Sequence, residues 1–208
     1  MSDIILKQLA PKGYLRAAIN MSNFLLVTGI DPNGDPEGVS PDMAKALANQ
    51  LGVELKLIPF KRPGELADAI LDDVWDIGNI ANEAERAKSI TFSSPYALIE
   101  STFLVRDSSN IQSLKDVDQK GIRIAVAERS AYDLWLTENI KNAELIRAKS
   151  IDESFSRSYF KIPADPTSPV CLFFNTTMLR LPEVGSSAST LRPIHVSASC
   201  AIACDPRS

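Results

Sequence analysis

The sequence predicts an α/β fold made of two successive units, each on an open and mostly parallel sheet. Three observations carry this expectation. Strand-like and helix-like segments alternate from Tyr14 to Val105 in the order strand, helix, strand, helix, strand. A second alternation starts near Ile111 and runs to Phe155. The composition is that of a globular chain: 45% of its 208 residues are hydrophobic, 23% are charged, and the net charge is −4. That length allows one or two domains with a sizeable core. The acidic balance and the lack of a basic patch speak against a nucleic-acid surface. No run of about 18 apolar residues is present, so no membrane span is expected.

Tyr14 to Ile19 reads as a short buried strand, followed by a loop from Asn20 to Thr28 that contains Asn23 and Phe24. Asp31-Pro32-Asn33-Gly34-Asp35-Pro36 has turn chemistry, because proline fixes φ and Asn-Gly accepts positive φ. Ser40-Pro41-Asp42 is a helix start, with Ser40 as the expected cap and Pro41 at the first helical position. Met43, Leu47 and Leu51 recur every four residues, and Gly52 closes the helix. Val53 to Ile58 alternates as a strand does. Pro63-Gly64-Glu65 opens a second helix with Leu66, Ala69 and Ile70 on one face. Trp75 to Gly78 and Thr102 to Val105 are the next strands.

Between those last two strands lies the stretch from Trp75 to Tyr96. A polar turn with Asn79, Ala81 and Asn82 leads to Glu83, Glu85 and the cation Arg86. A cation just past a strand end, beside free backbone groups, is suited to an anion. The plainer alternative is that Arg86 pairs with Glu83 or Glu85 on a solvated turn. In open parallel sheets ligands bind beyond the carboxyl ends of the strands. The loops Asn20–Phe24 and Asn79–Arg86 are therefore expected on one rim.

In the second unit, Ile111 to Val117 reads as a short amphipathic helix and Gly121 to Val126 as a strand. Ala127-Glu128-Arg129-Ser130 is its exit loop, and Ala131 to Ile140 is a helix. Ser130 is placed to cap that helix, whose N-terminus suits an anion; a plain cap is the competing role. Ala143 to Ala148 is a further strand, and Ile151 to Phe155 begins a helix.

The character of the chain then changes. Residues 154–208 hold five cations and three acids, whereas residues 1–153 hold 17 cations and 23 acids. All three cysteines, the only histidine and six of the thirteen prolines lie in that tail. Cys200 and Cys204 with Cys171 and His195 barely reach the four ligands that zinc needs, so no metal is expected. At the other end, Met1 to Gly13 lacks a basic region, a long apolar core and a cleavage site, and does not read as a secretory signal.

Several motifs carry a resemblance. Gly38 to Leu47, continuing through Leu51-Gly52-Val53, is similar to the helix pattern G-F-x-x-D-L-A-K-A-L-A-x-x-L-G-V. Glu83 to Arg86, Phe92 and Ser93 to Tyr96 match T-x-x-R followed by Phe and S-x-P-Y, with Glu83 in place of the Thr. Val105-Arg106-Asp107-Ser108, with Ser109 following, is similar to V-R-x-D-S without the middle residue. Ser113 to Val117 with Ile122 to Val126 resembles S-L-x-D-L-x-G-x-x-I-x-V, with two more residues before the glycine. These segments, within residues 12–155, resemble the amino-acid-type extracellular solute-binding proteins (solute-binding family 3) of ABC importers. The resemblance implies a periplasmic-binding-protein-like (type II) fold, α/β, with two lobes closing on a small polar or amino-acid-like anionic solute. It implies Arg86 on the ligand carboxylate, Asn79 and Ala81 beside it, and Ser130 completing an anion cradle. Asn23, with Phe24 next to it, stands where an aromatic usually stacks on the ligand. It implies no catalysis, no cofactor, a monomer, an importer permease as partner and a periplasmic location. The missing signal keeps the cytoplasm open as an alternative.

The expected organisation is lobe one at residues 1–105, a partial lobe two at 106–155 and a poorly ordered tail at 156–208. The second lobe is thus expected to be incomplete. Two other functions stand beside the importer subunit. One is a cyclohexadienyl-dehydratase-like enzyme on the same fold, for which Glu83 and Glu128 are the nearby acid–base candidates. The other is a sensory ligand-binding module. The tail's Ser, Pro, Arg and Cys content resembles coding DNA read in the wrong frame, so this form is expected to be disrupted and to bind its solute poorly. The nucleotide sequence checks this. A one-base shift near codon 155 should open a long frame encoding another strand–helix unit, whereas two alternative frames filled with stops would show the tail to be genuine.

Overall fold

Tyr14–Asn20 forms strand β1, whose five inner residues are buried and which lies at the centre of the first unit. The computed structural model describes residues 3–106, 109–154, 170–175 and 191–204. The first unit comprises residues 1–97 and 199–208, and the second comprises residues 98–198. Before β1 stands a short helix, α1 (Asp3–Leu9), which the sequence reading did not anticipate. Its Leu6 and Leu9 pack on the core beneath α2.

After β1, a two-stranded hairpin of β2 (Gly29–Ile30) and β3 (Pro36–Glu37) closes around the predicted Asp-Pro-Asn-Gly turn. Asp31 Oδ1 accepts from the backbone N–H of Asn33 at 2.8 Å and of Asp35 at 2.9 Å. Helix α2 (Val39–Leu51) follows and ends at Gly52 in the left-handed region, as its sequence predicts. Its start differs from the expectation. The N-cap is Gly38, at φ 127°, with no side-chain cap, and Ser40 lies buried inside the first turn. The reason is steric. A Cβ on residue 38 would sit 2.7 Å from the carbonyl oxygen of Leu26, so only glycine lets the chain turn so close to that loop.

Strand β4 (Glu54–Phe60) runs parallel to β1. Helix α3 (Pro63–Asp68) begins with proline at its first turn and runs into a 3-10 turn, Ala69–Asp72. Leu66, Ala69 and Ile70 are buried as predicted. Strand β5 (Ile77–Ala81) then pairs parallel with β1 on the side away from β4. It starts two residues later than the sequence suggests, because Trp75 and Asp76 are engaged elsewhere. The Trp75 indole N–H donates to the carbonyl of Leu66 at 3.0 Å, and Asp76 is held by Arg16. Alternation gives the sheet two apolar faces. Leu15, Ala17 and Ile77 meet Ala44, Ala48 and Leu51 of α2 on one face. Ala18 and Ile80 meet Leu66, Ala69, Ile70 and Trp75 on the other.

Strand β6 (Thr91–Arg106) is longer than the predicted Thr102–Val105, because the Ser93 to Tyr96 motif segment is itself extended. Within it the chain passes to the second unit. Helix α4 (Leu114–Val117) is a single turn shorter than predicted, capped reciprocally by Ser113 and Asp116. Strand β7 (Arg123–Ala127), helix α5 (Ala131–Asn139) and strand β8 (Glu144–Ala148) follow in the expected order, with β7 and β8 parallel. Residues 151–154 are helical, whereas Phe155, like Asp107 and Ser108, lies outside the described residues.

Of the tail at 156–208, two segments are described. Strand β9 (Val170–Asn175) pairs parallel with β7 and antiparallel with β6. Strand β10 (Leu191–Cys204) pairs through Cys200–Cys204 antiparallel with β5 in the first unit. Phe103, Val105, Ile124, Val126 and Leu136 form the core of the second unit.

One charged cluster fixes the first unit. Arg16 and Asp76 are 5% and 2% exposed. The Arg16 guanidinium donates to Asp76 through Nε at 3.1 Å and Nη2 at 2.6 Å, and the Arg16 backbone N–H adds a bond of 2.8 Å. Nη2 also reaches Asp73 Oδ1 at 2.7 Å, and Lys12 Nζ lies 2.9 Å from Asp73 Oδ2. The bond to Asp76 raises the Arg16 pKa above its ordinary value. The bonds from Arg16 and then Lys12 hold the Asp73 carboxyl at about 2.

Two outcomes follow from this cluster. Asp76→Ala leaves a buried guanidinium without its main partner, and urea unfolding should show a loss of about 3–5 kcal/mol. Asp73 has a depressed pKa, so its contribution is full above its unfolded value near 4 and is lost as pH falls through 2. Stability should therefore decline between pH 4 and pH 2, and the decline should be shallower in Asp73→Asn.

Candidate functional site

The winding of the first unit decides where a ligand can sit. The chain runs from β1 outward to β4 and then returns past β1 to β5, giving the strand order β4-β1-β5. Winding reverses between β1 and β5, and the crevice beyond their carboxyl ends is where open α/β sheets bind ligands. Because β1 and β5 are parallel, with Ile19 opposite Asn79, their exit loops leave the same edge. These are the loop holding Asn23 and Phe24 and the loop from Ala81 to Arg86.

The first loop is folded on itself. The carbonyl of Asn23 accepts from the N–H groups of Leu26 at 3.0 Å and Val27 at 2.8 Å. Asn23 is half-buried, and Phe24 is 43% exposed, a large apolar ring left at this edge. The second loop is built around Arg86. A 3-10 turn, Arg86–Lys88, follows the strand. Arg86 is only 5% exposed, so it is not the solvated surface cation that the local sequence also allowed. Its Nη1 donates to the carbonyl of Ala81 at 3.0 Å. Glu85, one of the two neighbouring acids, pairs with Lys88. A guanidinium is a planar, directional donor group, a type of side chain suited to a planar anion such as a carboxylate.

Asn79 lies two residues before Ala81 on the face of the sheet that carries α2. It is 3% exposed, and its Nδ2 donates to the carbonyl of Ser40 at 2.5 Å. Its Oδ1 has no donor among the described residues. Ser40 in turn meets Tyr96, with Oγ and the phenol oxygen 3.2 Å apart. Ser40 and Tyr96 were not singled out by sequence reasoning. Ser40 reads as a helix cap and Tyr96 as part of a motif, and only the fold brings these residues, 56 positions apart, into contact.

In the second unit, β7 lies between β8 and β9, so winding reverses beside it as well. Ser130 follows β7 and caps α5, its Oγ accepting from the N–H of Asp133 at 3.2 Å. Arg129, with φ 57°, turns the chain, and its N–H donates to the Asp133 carboxylate at 2.8 Å. That carboxylate is buried and also accepts from Arg147 Nε at 2.8 Å, while Arg147 Nη2 donates to Thr137 Oγ1 at 2.8 Å. An internal ion pair thus occupies part of the positive end of α5. Ser130 accepts one bond there and retains its own hydroxyl hydrogen to donate.

Arg86, Ala81 and Asn79 are therefore tied together, Asn23 and Phe24 share their edge, and Ser130 stands in the second unit. Among the described residues, no group of three or more His, Cys, Asp or Glu is placed to hold a metal. No helix among them is long and apolar enough to cross a membrane.

Comparison with known proteins adds the following. The profile of the family described as bacterial extracellular solute-binding proteins, family 3, matches residues 16–190. The L-cystine-binding protein TcyJ of Escherichia coli K12 is 33% identical over 116 residues, which cover 54% of this chain and 43% of that protein. The cyclohexadienyl dehydratase of Pseudomonas aeruginosa is 30% identical over 117 residues, 54% of this chain and 43% of that enzyme. The matched part therefore spans less than half the length of these relatives. Among solved structures, the ancestral amino-acid-binding protein AncCDT-1, a precursor of cyclohexadienyl dehydratase, superposes with a TM-score of 0.71 at 22% identity. It covers 97% of this chain and 85% of that one, a likeness of fold. The architecture is thus that of two-lobed periplasmic binding proteins.

The capping role of Ser130 gives a direct measurement. Ser130→Ala should lower the stability of the chain by about 1 kcal/mol in denaturant unfolding, and Ser130→Asp should retain most of it.

Proposed function

Since the chain belongs to the bacterial extracellular solute-binding proteins of family 3, we propose that it binds a small amino-acid-like anionic solute for an ABC importer. The observation that carries this reading is Arg86, a buried cation at the carboxyl edge of the sheet where the winding reverses. Arg86 receives the solute carboxylate, and the backbone at Ala81 lies against the rest of the solute. Asn23 and Phe24 wall the site. The two units act as the two lobes, the chain works in the periplasm, and its partner is an importer permease. The chain works as a monomeric binder without a cofactor.

The dehydratase relative motivates a second reading. It requires a positioned acid or base. Glu128, one of the two candidates, is exposed, and Glu83, the other, is half-buried. Incubation with prephenate or arogenate separates the readings: no turnover is expected, and turnover would establish the enzyme.

Calorimetry with the twenty L-amino acids and L-cystine tests the binding itself. An Arg–carboxylate bond in a partly dry site is worth roughly 1.5–3 kcal/mol, so Arg86→Ala should weaken the tightest of these about ten- to a hundredfold. Unchanged affinity in that variant would reject the assignment.

A further inference from the structure

A line of contacts runs through the first unit from the strand that leaves it to the candidate anion anchor. Tyr96 is the penultimate residue of the unit's first segment. Its phenol oxygen lies 3.2 Å from Ser40 Oγ. The Ser40 carbonyl accepts from Asn79 Nδ2 at 2.5 Å. Asn79 and Ala81 belong to the same strand, β5, and point to the same face of it. The Ala81 carbonyl accepts from Arg86 Nη1 at 3.0 Å. Every link joins described residues of one unit.

The middle of this line has a feature that packing alone does not explain. Asn79 is 3% exposed, yet its Oδ1 has no donor among the described residues. A buried acceptor left unsatisfied is costly, and an apolar side chain of the same size removes that cost. Ile77, two residues before Asn79 on the same face of β5, belongs to an apolar cluster with Ala44 and Ala48 of α2. A leucine would suit that core. What the amide supplies is one directional bond, from Nδ2 to the first turn of α2. Buried as it is, Asn79 reaches the site through the backbone of its strand rather than by touching a solute.

We propose that Tyr96, Ser40 and Asn79 are positioning residues for the Arg86 guanidinium. They fix the first turn of α2 against the carboxyl half of β5. The Ala81 carbonyl then holds the guanidinium in the direction from which a carboxylate is met. The inference rests on the solute-binding reading, in which Arg86 is the anchor. It assigns to three residues a role that no contact with the solute would reveal.

The experiment is a double-mutant cycle on the full chain, using the tightest binder among the twenty L-amino acids and L-cystine as the probe. Tyr96→Phe should weaken binding about two- to fivefold, and Ser40→Ala should do the same by removing that contact from its other side. The two together should equal either alone. Asn79→Leu should weaken binding at least tenfold while melting no lower than the parent chain, a combination that a purely structural role does not give. In an Arg86→Lys background, where the guanidinium is absent, each of the three substitutions should lose its effect.

Full additivity with Arg86→Lys, or an Asn79→Leu variant that binds as the parent does, would overturn the inference while leaving the anchor in place. Parental affinity in Arg86→Lys and Arg86→Ala alike would overturn the reading on which it rests. Should Asn79→Leu fail to fold, the Tyr96 and Ser40 variants carry the same cycle.

Discussion

The buried pair of Arg16 and Asp76 is the constraint on which the first unit depends. It joins residues 60 positions apart and uses both the side chain and the backbone N–H of Arg16. The N–H of Asp76 returns a bond of 2.9 Å to the carbonyl of Arg16. These bonds set the register of β5 against β1 before β5 begins. A strand slipped by one residue would place Asn79 and Ala81 on the wrong face, so the register decides whether the carbonyl of Ala81 can reach Arg86. Desolvating two charges is expensive, and such pairs add little net stability compared with apolar packing. Here the pair's contribution is geometric: its removal is costly, and its presence makes one pairing the only favourable one.

The two units repeat one winding pattern with different electrostatics. In each, the first strand of the unit's parallel set lies between the second and third, as β1 does between β4 and β5, and β7 between β8 and β9. The exit loop of that central strand therefore sits at the point where winding reverses in both. In the first unit the charged group at this edge is a buried cation, Arg86. In the second, a buried carboxylate, Asp133, already occupies part of the N-terminal end of α5 and is balanced by Arg147. The buried cation at a sheet edge is thus a feature of the first unit, and the buried, internally paired carboxylate a feature of the second.

Much of this architecture is legible in the sequence where the signal is local. Pro63 at a first helical turn, Gly52 at a helix end and Ser130 three residues before Asp133 each announce their role through neighbouring residues alone. The apolar run of Tyr14 to Ile19 and the alternation of Val53 to Ile58 mark strands for the same reason. What the sequence does not show depends on distant partners. Ser40 reads as a cap, but the approach of Leu26 to Gly38 moves the helix start upstream. Thr102 to Val105 reads as a short strand, but it is the end of one long strand, Thr91–Arg106, that takes in Ser93 to Tyr96. Arg16 looks like any strand residue until Asp76 is brought beside it. Arg86 was legible as a candidate through its motif, whereas the Ser40–Tyr96 contact behind it was not.

The central claim is that the guanidinium of Arg86 meets the anionic group of the solute. The most direct measurement is the Nε–Hε resonance of Arg86 in a nitrogen-15-labelled chain, assigned by its loss in Arg86→Lys and followed as solute is added. The account predicts that this resonance shifts and saturates with the same dissociation constant as the calorimetric binding. If the solute saturates the chain while the Arg86 resonance stays where it was, the anion is held elsewhere and the account is wrong.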